Sequence, residues 1–195
     1  MWTIPNQITL FRIILIPIFI LVFYLPLSWS HFGAFAIFWV ASISDALDGY
    51  LARKLNQSSA FGAFIDPVAD KLMVVAALVM IVHDYQTWLI AIPAIIMIAR
   101  EIFISGLREF MSSRGKRDVI AVSEMGKYKT AAQMLGIMGL IWRPDYDIPL
   151  ILFYLPHEII NYAAYFFYFI ATVLTISTLI DYFKAAWPEL KADNE

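Results

Sequence analysis

The chain has 195 residues, 61% hydrophobic and 16% aromatic, with a mean hydropathy of +0.71. Only 15% is charged, against about a quarter in soluble domains, and the composition therefore marks an integral membrane protein. A net charge of −2 with a few basic loop residues gives no support for nucleic-acid binding, and the absence of cysteine excludes disulfides and thiol catalysis.

The first ten residues lack a basic leader and a small-residue cleavage site, and read as a short interfacial helix kept in the mature protein. Ile13–Ser44 then runs for 32 residues without Asp, Glu, Lys or Arg, interrupted by Pro26, Ser28, Ser30 and Gly33. That pattern predicts a hairpin of two spans, one to about Leu25 and one from about Phe32, and Pro17 predicts a kink in the first. A third helix is expected from near Asp66 through Val82, and a fourth from Tyr85 through Arg100 towards Phe110. A fifth should start near Ser123 and end at Trp142, and a sixth covers Ile159–Ile180. The expected fold is all-α, a single membrane domain over residues 1–195 with six transmembrane helices. Of the 14 basic residues, 13 fall on or towards the side that holds both termini. The bias of Lys and Arg makes that side cytoplasmic.

The chemistry concentrates in four aspartates. They form Asp45-x-x-Asp48-Gly49-x-x-Ala52-Arg53, then eight residues, then Gly62-x-x-x-Asp66-x-x-x-Asp70. A carboxylate at the centre of a membrane helix costs roughly 3 kcal/mol or more and needs a partner. Spacings of three and four put each pair on one helical face. Counting 1.5 Å per residue from the outer face places all four roughly 18–24 Å deep, with Asp45 level with Asp70 and Asp48 level with Asp66. Oxygen-only ligands suit Mg²⁺ or Mn²⁺, and two pairs suit two cations and a diphosphate. Small residues at Gly49, Ala52 and Gly62 allow close approach, and Arg53 at the cytoplasmic mouth offers a fork of donors for phosphate. The bland alternative is a set of interhelical ion pairs using Lys71 and Arg53.

Arg100 and Lys129 reach a similar depth, roughly 18 and 20 Å. Arg108 lies about 80° round the helix from Arg100. Lys127 and Lys129 are about 200° apart if helical, so at most one of them points inward, whereas Lys129 and Gln133 share a face. Several cations beside an acidic metal site suit an anionic acceptor. The competing readings are snorkelling for Arg108 and Lys127 and an ion pair with Glu101 or an aspartate for Arg100.

The aspartate pattern resembles the signature of the CDP-alcohol phosphotransferase family, with all eight fixed positions present over 26 residues. The resemblance implies displacement of CMP from a CDP-linked lipid by an alcohol, with two bound divalent cations, Mg²⁺ or Mn²⁺. It further implies that Asp45, Asp48, Asp66 and Asp70 are metal ligands and that Asp70 deprotonates the attacking hydroxyl. Gly49, Arg53 and Ser59 fall where the family contacts the CDP moiety. The stretch Pro5-Asn6-Gln7-Ile8-Thr9-Leu10-x-Arg12 resembles its N-terminal segment, with Asn6 and Thr9 closing the nucleotide site or capping a helix. The segments Arg100–Glu109 and Gly126–Gln133 resemble those of the phosphatidylglycerophosphate synthase subgroup. They imply CDP-diacylglycerol and sn-glycerol 3-phosphate as substrates, with Arg100, Arg108, Lys127 and Lys129 on the acceptor phosphate. The family also implies a homodimer in the inner membrane with its site towards the cytoplasm.

Three rivals remain at this point. A sister enzyme would use inositol phosphate. A membrane prenyltransferase also pairs aspartate motifs, although this chain is short for one. A divalent-cation transporter would need acidic residues along a path to both faces, and the outer half of this chain has no embedded carboxylate.

Overall fold

The computed structural model describes residues 4–55, 60–116, 124–149 and 154–191. They form six helices and one small hairpin: α1 (Ile4–Phe23), α2 (Ser30–Leu55), α3 (Ala60–Tyr85), α4 (Trp88–Ser113), α5 (Glu124–Trp142), β1 (Ile148–Pro149), β2 (Tyr154–Leu155) and α6 (His157–Lys191). Of these, α1, α4 and α6 are long and apolar enough to cross a membrane, and α2 carries a shorter apolar stretch over Ser30–Ser44. The described residues fall into two compact units, residues 1–85 with 137–161 and residues 86–136 with 162–195.

The first unit is built on α1, which packs along both α2 and α3. Among the described residues no separate interfacial helix precedes the first span: Ile4–Phe23 is one continuous helix with Pro17 inside it. Between Pro5, in the first turn where proline is tolerated, and Pro17 there is no glycine or proline, so nothing divides the early turns from the span. The predicted break is present. α1 ends at Phe23 and α2 begins at Ser30, two residues earlier than expected, its first turn closed by Gly33 N–H on Trp29 O at 2.8 Å. A side chain at Gly33 would meet Val22 and the Trp29 ring at 3.0 Å, so α1 and α2 approach closely there. Phe19, Phe38, Ala41, Ala69, Ala77, Leu78 and Ile81 form the buried core.

Tyr85 closes α3, and Gln86 turns the chain through a left-handed φ of 48°. Arg143 does the same after α5, with φ 37° and its N–H on Gly139 O, a common way to end a helix. The Arg143 guanidinium then meets Asp84 at 2.8 Å and lies over the Tyr85 ring, while Tyr85 Oη donates to Leu140 O. Beyond it, β1 and β2 pair antiparallel, Ile148 with Leu155 and Pro149 with Tyr154. Asp147 accepts from the backbone N–H and Nδ1 of His157 at the start of α6. The bond to the His157 ring is the main reason the Asp147 carboxyl is held below its usual range.

In the second unit α4 and α6 run side by side in the same direction. Tyr168 Oη donates to Ile90 O at 3.0 Å near their starts, and Ile104, Leu107 and Met111 pack with Tyr182 and Ala186 near their ends. Gly136 of α5 abuts the Tyr168 backbone. Thr172, Thr175 and Thr178 bond back to carbonyls one turn earlier, so their hydroxyls sit buried and satisfied. α6 runs to Lys191, well past the predicted Ile180, because Tyr182 and Ala186 continue its buried stripe.

Candidate functional site

Two of the four aspartates are described with their side chains, Asp66 and Asp70. They lie one turn apart near the start of α3, both half-buried. Asp45, Asp48, Gly49 and Arg53 lie on α2, and their side chains, like the whole of Ser59, fall outside the described residues. The expected pairings of Asp45 with Asp70 and of Asp48 with Asp66 fall there too.

Against Asp66 comes α1. Its residues Asn6, Thr9 and Arg12 repeat every three positions, on one stripe of the helix, and all three are buried. Thr9 Oγ1 donates to Asp66 Oδ1. Asn6 and Thr9 are both inside α1, which removes the reading of either as its N-cap. Thr9, expected on the nucleotide, here orients a carboxylate. Arg12, which the sequence pattern alone assigns no role, is among the largest fully buried side chains. The signal for it was available, because a buried arginine in an apolar helix always needs a reason. A carboxylate pair of hard oxygen donors, one of them fixed by a hydroxyl, fits Mg²⁺ or Mn²⁺.

The second unit holds the cationic residues. Arg100 is 7% exposed and Lys129 3%. Glu101 joins them: Arg100 Nη1 donates to Glu101 Oε1 at 3.2 Å, and Lys129 Nζ donates to the same oxygen. Gln133 is buried one turn beyond Lys129, as their shared face required. Lys127 is exposed, so the fifth helix turns in one lysine of the two. Tyr182 carries both arginines. The Arg100 and Arg108 guanidiniums lie over its ring at 5.5 and 5.7 Å, and Arg108 Nη2 donates to its hydroxyl at 3.5 Å. Arg108 itself is exposed. Structurally, then, Arg100, Lys129 and Arg108 are held by Glu101 and Tyr182, whereas Lys127 is exposed on α5.

Glu101 and Tyr182 escaped the sequence reading as site residues. Glu101 looked like a local neighbour of Arg100, and its second partner is 28 positions away. Tyr182 lies beyond the predicted end of the sixth helix, so nothing placed it beside α4.

Comparison with known proteins bears on both units. A family model described as CDP-alcohol phosphatidyltransferase matches residues 2–177. The chain is 48% identical over 189 residues, 97% of each chain, to the CDP-diacylglycerol–glycerol-3-phosphate 3-phosphatidyltransferases of Escherichia coli (strain K12) and Shigella sonnei (strain Ss046). It is equally similar to the protein of that name from Shigella flexneri serotype 5b. With the eight fixed positions of the aspartate pattern in place and a match that runs through nearly the whole sequence, the chain belongs to the CDP-alcohol phosphatidyltransferase family.

Proposed function

We propose that the chain transfers the phosphatidyl group of CDP-diacylglycerol to sn-glycerol 3-phosphate, giving phosphatidylglycerophosphate and CMP. The observation that carries the choice of acceptor is the buried Arg100–Glu101–Lys129 cluster with Arg108 held on Tyr182. Three cationic side chains gathered on one carboxylate and one aromatic ring suit a substrate bearing its own phosphate. The name shared by relatives at 48% identity supports the same reaction.

In this reading Asp45, Asp48, Asp66 and Asp70 hold two divalent cations, Mg²⁺ or Mn²⁺, which when bound neutralise the diphosphate and stabilise CMP as a leaving group. Thr9 keeps Asp66 aimed. Asp70 accepts the proton of the acceptor hydroxyl. The hydroxyl oxygen bonds to the lipid-side phosphorus as the bond from that phosphorus to the CMP oxygen breaks. Asn6, Gly49, Arg53 and Ser59 bind the CDP-lipid, while Arg100, Arg108 and Lys129 position the acceptor phosphate. Lys127, being exposed, contributes only to the potential that attracts the acceptor.

The proposed setting is the inner membrane: six spans, both termini cytoplasmic, a homodimer, and the soluble acceptor arriving from the cytoplasmic side. Purified protein given CDP-diacylglycerol, glycerol 3-phosphate and Mg²⁺ should release CMP, and a chelator should stop it. Inositol phosphate in place of glycerol 3-phosphate should give little. No CMP release, or a preference for inositol phosphate, overturns the assignment.

A further inference from the structure

A groove of about 710 Å³ runs between α4 and α6 in the second unit. Its walls are apolar: Ile96 and Phe103 from α4, and Ile176, Ile180 and Phe183 from α6. These side chains are not core. Phe103, Ile176, Ile180 and Phe183 are 40–46% exposed, on helices long and apolar enough to cross a membrane. The wall spans eight residues of α6, about 12 Å along the helix axis, so the groove runs with the helices, and a volume of about 710 Å³ has room for a hydrocarbon chain.

Its polar end is equally specific. Lys184 closes the groove at the end nearer the C-terminus and makes no ion pair among the described residues. The nearest carboxylate on the same helix, Asp181, is not part of the lining. Next to Lys184, the Phe183 ring packs with Trp187 at 5.2 Å and with Phe103 at 6.3 Å, an aromatic collar at the level of the cation. Apolar wall, aromatic collar and terminal lysine repeat the order of chain, interface and headgroup in one leaflet.

We infer that this groove is a binding site for an anionic phospholipid of the cytoplasmic leaflet, with one acyl chain between α4 and α6 and the lipid phosphate on Lys184. The leaflet rests on the orientation given under Proposed function. None of the residues proposed to bind the CDP moiety lines the groove. It does touch the acceptor residues at one point. Arg100 forms part of the groove wall while its guanidinium turns to Glu101 and Tyr182. A chain seated in the groove therefore packs against a side chain proposed to hold the acceptor phosphate.

The test is photolabelling of the full chain in vesicles with phosphatidylglycerol or phosphatidylcholine bearing a diazirine in the acyl chain, and mapping of the labelled peptides. In the wild-type protein the phosphatidylglycerol probe should label residues 96–103 and 176–184 about fivefold more than the choline probe, the discrimination of one lysine near a charged surface. Lys184→Gln should bring the two probes level. Ile180→Trp, at an exposed position, should remove label from both. Equal labelling of the wild-type protein by both probes, or label in these segments that Ile180→Trp leaves unchanged, overturns the inference. The chain has no cysteine, so Ile180→Cys in bilayers gives a further answer: disulfide-linked dimers would assign the groove to a second copy. Labelling needs no turnover, so this inference and the proposed reaction fail independently.

Discussion

The two lysines at the start of α5 offer the sharpest contrast. Lys129 is 3% exposed and bonded to Glu101, whereas Lys127, two positions earlier, faces outward. Lys129→Met keeps the length and helix propensity of the side chain and removes the charge. If Lys129 holds the acceptor phosphate, the loss is one charge-assisted hydrogen bond, about 1.5–3 kcal/mol. At 1.4 kcal/mol per decade that is about a 10- to 100-fold rise in KM for glycerol 3-phosphate. The fold should survive. Glu101 keeps its bond to Arg100 at 3.2 Å and is 21% exposed, so it is not stranded, and the stability cost falls below the 3–5 kcal/mol of a broken fully buried pair. Lys127→Met should change KM by no more than about twofold, as a surface charge does. The assay is CMP release in mixed micelles with glycerol 3-phosphate varied at saturating CDP-diacylglycerol, then the reverse. Equal effects of the two substitutions, or a Lys129→Met effect confined to KM for CDP-diacylglycerol, would refute the acceptor assignment.

Thr9→Val removes the hydroxyl on Asp66 without changing shape. The Mg²⁺ concentration for half-maximal activity should rise about tenfold, with kcat recovering at saturating metal; an unchanged metal dependence would separate Thr9 from the site. Asp70→Asn should retain CDP-diacylglycerol binding and lower turnover at least about 100-fold, and near-normal turnover would remove Asp70 from the role of base. Gly136→Ala sets a Cβ 2.7 Å from the Tyr168 nitrogen and 2.8 Å from its Cα. Backbone cannot give way cheaply, so about 1–3 kcal/mol of stability should be lost and the melting temperature in detergent should fall. Gly106→Ala meets nothing within 4 Å and should leave stability unchanged or raise it by up to about 1 kcal/mol. Equal melting temperatures for the two variants would contradict the close approach of α5 and α6.

The elements were legible wherever charge and apolar periodicity reported on them. The uncharged run to Ser44 with its Pro26–Gly33 interruption located the α1–α2 turn to within a few residues, and the helical period separated Lys129 from Lys127. Three features were hidden for physical reasons. The continuity of α1 depends on the absence of a breaker, which is harder to see than a breaker itself. The end of α6 depends on Tyr182 and Ala186 meeting Ile104, Leu107 and Met111, a tertiary stripe that local hydropathy does not carry. The hairpin at Ile148–Leu155 has only two residues per strand, too few for alternation to register. The aspartate pattern was plain from spacing, but the place of Glu101 and Tyr182 beside the cations of the second unit was not, because those contacts run across 28 and 74 positions of chain.

The polar stripe on α1 bears on how the protein is made. Emerging alone, this helix would set Asn6, Thr9 and Arg12 against acyl chains, and the arginine by itself costs about 3 kcal/mol at mid-membrane. Those groups are hidden only when α2 and α3 lie alongside, and Thr9 finds its acceptor on a residue synthesised 57 positions later. The first helix is therefore expected to reach its final burial only together with the two that follow, so truncating the chain before Asp66 should leave α1 poorly retained in the bilayer.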